Sequence, residues 1–188
     1  MSVTKTQVET ALTLVEDLRS HGYSVVIAGG FARDVYFQEL PKDIDIVVAA
    51  GSVHVDAAEA HKILGELLVR LGVEHLGFRM YSEAASDRLI GGFKAVGNID
   101  VVLYDVELAL EAVEAFDFNL NQFVLTGRTF ETAYVTFEGT KSWHELEPVR
   151  EDYTPERFGK MREKFLNLTW RYPEGEGPKE VKLTDALL

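Results

Sequence analysis

The sequence contains no cysteine in 188 residues, which excludes disulfides and thiolate metal sites and fits a reducing, cytoplasmic setting. It has no apolar run of membrane-spanning length, so a membrane is not an expected partner. Positive charge is scarce as well: 19 Lys and Arg stand against 31 Asp and Glu, a formal net charge of -12. Proteins that hold nucleic acid through many phosphate contacts concentrate basic residues, so no extensive nucleic-acid surface is expected here. A small basic pocket remains compatible with this balance. The start, "MSVTKTQVETALTLVEDL", is too polar and too periodic for a signal peptide. No internal repeat occurs, and low complexity is confined to the tail "RYPEGEGPKEVKLTDALL", predicted to be a surface-hugging or mobile end.

What is present describes an ordinary globular chain, 46% hydrophobic and 27% charged, long enough for one core with a small appendage. Val8, Ala11, Leu12, Val15 and Leu18 recur at helical spacing over 4–20, and Gly22 follows as a stop. Residues 23–28 are nearly all apolar and read as a strand buried on both faces. Gly29-Gly30 makes a turn, "FARDVYFQEL" a short helix ending before Pro41, and "KDIDIVVA" a second strand. A helix is predicted from about Val55 to Leu71, then strands in "VEHLGFRMY", "RLIGGFKAV" and "NIDVVLYD". Residues 106–116 read as a helix with Val106, Leu110 and Val113 in register, capped by Asp105, and 117–138 as short strands about Thr126-Gly127. Thr154-Pro155 starts a helix reaching about Trp170. The expected class is α+β: a head domain at 1–140 with a mixed or antiparallel sheet flanked by helices, and a helical appendage and tail at 141–188.

Asp43 and Asp45 stand two apart on a strand, so both leave the same face and repel each other unless a cation sits between them. Hard carboxylate oxygens suit Mg²⁺. Asp100 is an acid inside the apolar strand "NIDVVLY" and needs a partner. If that strand neighbours the Asp43 strand, three carboxylates converge as two-metal phosphoryl or nucleotidyl transfer requires. Gly29-Gly30 lets backbone N–H groups approach a phosphate, and Arg33, poorly placed for the helix dipole, suits phosphate oxygens or a bridge to Asp34 or Asp43. His21, His54, His61, His75 and His144 show no metal-ligand spacing and read as surface or core residues.

"GGFARD" followed by "PKDIDIVV" resembles the head-domain signature of the tRNA nucleotidyltransferase (CCA-adding enzyme) and bacterial poly(A) polymerase family, within the DNA polymerase β-like nucleotidyltransferase superfamily. The resemblance covers roughly residues 22–170, most strongly 25–48. It implies the nucleotidyltransferase fold, with Asp43 and Asp45 holding two Mg²⁺ ions (Mn²⁺ as an alternative), Gly30 and Arg33 on the triphosphate, and Asp100 at the position of a later acid. "FDFNLNQ" keeps Asp117, Phe118 and Asn121 of a further motif, with Phe116 where the family has a nucleotide-contacting arginine. Asp117 and Asn121 are read as nucleotide contacts or as a turn or cap. "YTPERFGKMREKF" keeps Pro155 and Arg157 of a base-selecting motif, has Lys160 at a second arginine and replaces the acidic pair with Tyr153-Thr154. Arg157, Lys160 and Lys164 share a helix stripe that faces either a triphosphate or solvent. The chain looks like the short stand-alone head domains of phage genomes. The activity implied is transfer of a nucleoside monophosphate, AMP from ATP, to an RNA 3′ end, a protein or a small molecule. The alternative is a non-catalytic nucleotide-binding or inhibitory module acting through a protein partner.

Overall fold

A computed structural model of the chain describes residues 2–51, 56–79 and 87–187. The positions of His54, of the predicted helix start at Val55 and of the predicted strand end at Met80 and Tyr81 lie outside the described residues. Helix α1 (Lys5–Ser20) opens on a reciprocal cap, with Gln7 N–H donating to Thr4 Oγ1 at 3.2 Å and Thr4 N–H donating to Gln7 Oε1 at 3.0 Å. Its periodic apolar residues are all buried, and Gly22, at φ 91°, turns the chain out of the helix. The order continues β1 (Ser24–Ala28), α2 (Gly30–Tyr36), β2 (Ile44–Ala49), α3 (Ala57–Arg70), β3 (His75–Arg79), β4 (Leu89–Ala95), β5 (Ile99–Tyr104), α4 (Ala109–Glu114), a single 3₁₀ turn (Asn119–Asn121), β6 (Phe123–Thr126), β7 (Tyr134–Phe137), α5 (Pro155–Thr169), β8 (Glu180–Lys182) and α6 (Leu183–Ala186).

The strands form one mixed eight-stranded sheet in the order β3-β4-β5-β2-β1-β6-β7-β8, flanked by helices. Every neighbouring pair is antiparallel except β2 with β5, which is parallel. Strand alternation divides the side chains between two faces. Val25, Ile27, Ile44, Ile46, Val48, Ile99, Val101 and Leu103 join α1 and α3 in the main core. Val26, Ala28, Val47, Ala49 and Val124 face the other way, under Ala109, Ala112 and Val113 of the short α4. That second face is thinly covered, and Asp45, two before Val47, belongs to it. Among the described residues no helix is long and apolar enough to cross a membrane.

Two local expectations change. α4 begins at Ala109, so its inward positions are Ala109, Ala112 and Val113, while Leu110 turns outward and is 47% exposed. Asp105 does not cap it; the Leu108 N–H is taken by Glu111 Oε1 at 3.0 Å, and the Ala109 N–H by Ser24 Oγ at 2.9 Å. The tail is held rather than mobile. β8 pairs with β7, Tyr36 donates to the Pro178 carbonyl at 2.7 Å, and Val181, Leu183 and Leu187 are buried. Its Pro and Gly content hides a short edge strand that completes the core beneath the Tyr36, Phe37, Phe123 and Trp143 rings. Leu183→Ala is expected to cost about 3 kcal/mol in urea denaturation, the range for a buried leucine. A change below about 0.5 kcal/mol, the level of a surface substitution, would show that the tail is not part of the core.

Candidate active site

The parallel pairing of β2 with β5 puts Asp45 directly opposite Asp100, on the thinly covered face of the sheet. Asp43 sits just before β2 and is exposed. The Asp45 carboxyl is pushed up to about 7, first by burial, then by the charges of Asp100 and Asp43, with Arg33 and Lys94 opposing the shift. Lys94, opposite Asp100 on β4, approaches that carboxylate at 3.6 Å. Among the described residues no group of three carboxylates or histidines is already gathered as a metal cage. The donor chemistry nonetheless fits a hard divalent cation: oxygen ligands, two of them on facing residues, and a mutual repulsion that a cation would relieve. Among the described residues the histidines stay out of the site; His61 stacks on Phe93 at 4.4 Å and His75 meets the same ring edge-on.

Gly29 adopts φ 85°, and a Cβ there would lie 3.6 Å from Phe116 Cε2 and 4.0 Å from Asp45 Oδ2. Its N–H is already used by the Phe123 carbonyl at 3.0 Å, so Gly29 shapes the turn and does not offer its amide to a ligand. α2 is only seven residues long, which leaves its dipole small and Arg33 as the main positive element. Arg33 is 6% exposed, donating from Nε to Asp34 Oδ1 at 2.9 Å and from Nη1 to Asn121 Oδ1 at 2.8 Å. Its Nη2 has no hydrogen-bond acceptor among the described residues and lies 3.4 Å from where a Cβ on Gly30 would stand.

Gly30, Arg33, Asp34, Lys42, Asp43, Asp45 and Lys164 line a hollow of about 180 Å³. Larger hollows of about 720 and 670 Å³ lie elsewhere, but neither joins a glycine turn and several cations to Asp43 and Asp45. Lys164 titrates below its usual value because of burial and then the Arg33 charge, with Lys42 and Arg157 adding to the effect and Asp34 opposing it. Helical spacing puts Lys164 on a basic stripe, whereas the only sequence signal for Lys42 is its place immediately before Asp43. Of the other predicted residues, Arg157 donates from Nε to Asp117 Oδ2 at 2.8 Å, and Asn121 Nδ2 donates to Asp117 Oδ1 at 3.2 Å. Lys160 is exposed and does not line the hollow. Phe116 lies beside Tyr104, ring centroids 6.4 Å apart, over the open face of the sheet.

No family model matches the chain. Over 54 residues, 29% of this chain and 14% of the relative, it is 33% identical to the CC-adding tRNA nucleotidyltransferase of Halalkalibacterium halodurans. The chain resembles the CCA-adding nucleotidyltransferases. It matches a small part of that relative's length. Among solved structures it is similar to the Bacillus stearothermophilus CCA-adding enzyme in complex with CTP, with a TM-score of 0.48, 17% identity, and 85% of this chain and 38% of that one covered. A tRNA nucleotidyltransferase complexed with a primer tRNA and an incoming ATP analog aligns at a TM-score of 0.35 and 23% identity, over 57% of this chain and 29% of that one.

The raised Asp45 pKa has a consequence for stability. An acid that binds its proton more tightly when folded costs the fold stability as pH rises from its unfolded value near 4 to about 7, and the loss persists above that. Without divalent cations, Asp45→Asn should therefore melt above wild type at pH 8, by on the order of 5 °C, and the gap should shrink toward pH 4. Melting curves at the two pH values check this; a gap that does not depend on pH would contradict it.

Proposed function

We propose that this chain is a metal-dependent nucleotidyltransferase that moves a nucleoside monophosphate, AMP from ATP in the first instance, to an acceptor hydroxyl. The observation that carries the reading is the facing pair Asp45 and Asp100 beside a glycine turn whose buried arginine keeps Nη2 without an acceptor among the described residues. The acceptor hydroxyl gives up its proton to water as its oxygen bonds to the α-phosphorus, the bond to the α–β bridging oxygen breaks, and pyrophosphate leaves. Divalent cations, Mg²⁺ with Mn²⁺ as an alternative, would be held by Asp43, Asp45 and Asp100 and would neutralise charge on the attacking and leaving oxygens.

The protein's own groups do the remaining work. Arg33 Nη2, Lys42 and Lys164 bind the β- and γ-phosphates, turning a cluster of like charges into a site for the leaving pyrophosphate. Gly29 holds the turn open, and the missing side chain of Gly30 leaves room for a phosphate beside Arg33. Lys94 must release Asp100 as a cation arrives, a modest cost for a pair whose lysine is 70% exposed. Arg157 and Lys160 lie on α5, and Arg157 contributes to the positive field felt at Lys164.

The similar proteins act on tRNA or are described with CTP or an ATP analog, which supports a nucleotide donor and makes an RNA 3′ end the leading acceptor. A net charge of -12 repels a polyanion at long range, so an RNA acceptor would be recognised over few nucleotides or be presented by another protein. A protein side chain or a small-molecule hydroxyl is compatible with the same donor site. Incubation with labelled ATP, Mg²⁺ and a mixed RNA and protein extract should label an acceptor, and Asp43→Ala with Asp45→Ala should reduce labelling at least a hundredfold, on the order of an essential electrostatic contribution. Tight ATP binding with no labelling from any NTP would overturn the transferase reading in favour of a non-catalytic nucleotide-binding module.

A further inference from the structure

Four side chains from three distant parts of the sequence form one continuous polar chain: Arg33 to Asn121 at 2.8 Å, Asn121 to Asp117 at 3.2 Å, and Asp117 to Arg157 at 2.8 Å. The Asn121 amide orientation is dictated by its partners. A guanidinium only donates, so Oδ1 faces Arg33, and a carboxylate only accepts, so Nδ2 faces Asp117. Asn121 is 8% exposed and Nδ2 also lies 3.7 Å from Met161 Sδ of α5. Its backbone is fixed by the neighbouring amides. Asn119 Nδ2 donates to the carbonyls of Lys141, Ser142 and Glu145, and Gln122 Nε2 donates to those of Val113 and Glu114.

Arg33 has carboxylates on two sides. Asp34 holds its Nε, and its charge is felt at Asp45 across the hollow. A cation this buried, if released, would move onto the facing acids and block both the metal and the phosphate positions. Asn121 prevents this without adding charge: it occupies Nη1 with a neutral oxygen, so that Nη2 stays toward the space beside Gly30. Asp117 in turn holds Asn121 in place and is itself held by Arg157.

We propose that Asn121 and Asp117 are positioning residues that do not touch the nucleotide: they tie α5 to α2 and aim Arg33 at the phosphates. This rests on the transferase reading of the hollow, and it replaces the expectation that Asp117 and Asn121 contact the nucleotide directly. The consequence is that their loss is felt by the phosphates and not by the base.

Calorimetric titration with Mg²⁺-tripolyphosphate, which has no base or sugar, and with Mg²⁺-ATP separates the roles. Asn121→Ala should weaken both ligands by the same factor, about tenfold, the size of one charge-assisted hydrogen bond. In an Arg33→Ala background the same substitution should have no further effect. Asn121→Asp, which sets a second carboxylate against Asp117, should also weaken binding, and adding Asp117→Asn should restore most of it by re-forming the donor and acceptor pairing. If Asn121→Ala fails to fold in a melting experiment, this exchanged pair decides the matter. Weakened ATP binding with unchanged tripolyphosphate binding, additive losses with Arg33→Ala, or no rescue by the exchange would each overturn the proposal. Wild type binding neither ligand would overturn the transferase reading together with it.

Discussion

Asp45 and Asp100 are held face to face by the parallel pairing of β2 with β5, and the chemistry of the molecule follows from the cost of that arrangement. Two carboxylates on adjacent strands, one of them buried enough to titrate near 7, are a destabilising element in the absence of a counter-ion. The surrounding structure tolerates them because the remaining positions of both strands are apolar and well packed: Ile44, Ile46, Val101 and Leu103 are fully buried in the main core. Lys94 compensates part of the charge from the edge of the site. On the proposed reading, a divalent cation offsets the rest.

Three cations of this acidic protein gather beside Asp43 and Asp45. Arg33, Lys42 and Lys164 come from a helix, a loop and the C-terminal helix α5, and meet at one small hollow. Keeping opposite charges close yet apart is a geometric problem, because a buried arginine beside half-buried acids tends to pair with them. The segment "FDFNLNQ" meets it with neutral amides: Asn119 fastens the loop at 141–147, Gln122 fastens the end of α4, and Asn121 occupies the inner amino group of Arg33. Buried amides are stable there because their donors and acceptors are largely matched.

Much of this was legible in the sequence. The glycine pair, Arg33, Asp43 and Asp45 lie within one short stretch whose local rules, a strand, a turn and alternation on the next strand, are enough to place them together. Capping chemistry marked α1 at Thr4-Gln7 in the structure, and Thr154-Pro155 marked α5 in the sequence. What could not be read directly depends on contacts between distant segments. Asp100 faces Asp45 because β5 joins β2 after an excursion through α3 and the β3–β4 hairpin, which no local pattern specifies. Lys42 and Lys164 meet because α5 returns to α2, and Asp117 and Asn121 take their partners from that same return. The phase of α4 differs from the sequence pattern because Leu110 looks like a core residue, while the helix starts where Ser24 can receive the Ala109 N–H. The edge strand in the tail is invisible in the sequence because three residues carry little periodicity.

Crystals grown with Mn²⁺ and a non-hydrolysable ATP analog would show directly, through the anomalous signal of the metal, whether the facing acids and the Arg33 hollow form one metal and triphosphate site. The expected result is a Mn²⁺ peak bonded to Asp45 and Asp100 oxygens, with the analog's β- or γ-phosphate on Arg33 Nη2. A bound analog whose phosphates lie away from Arg33, or a metal that avoids both aspartates, would contradict it.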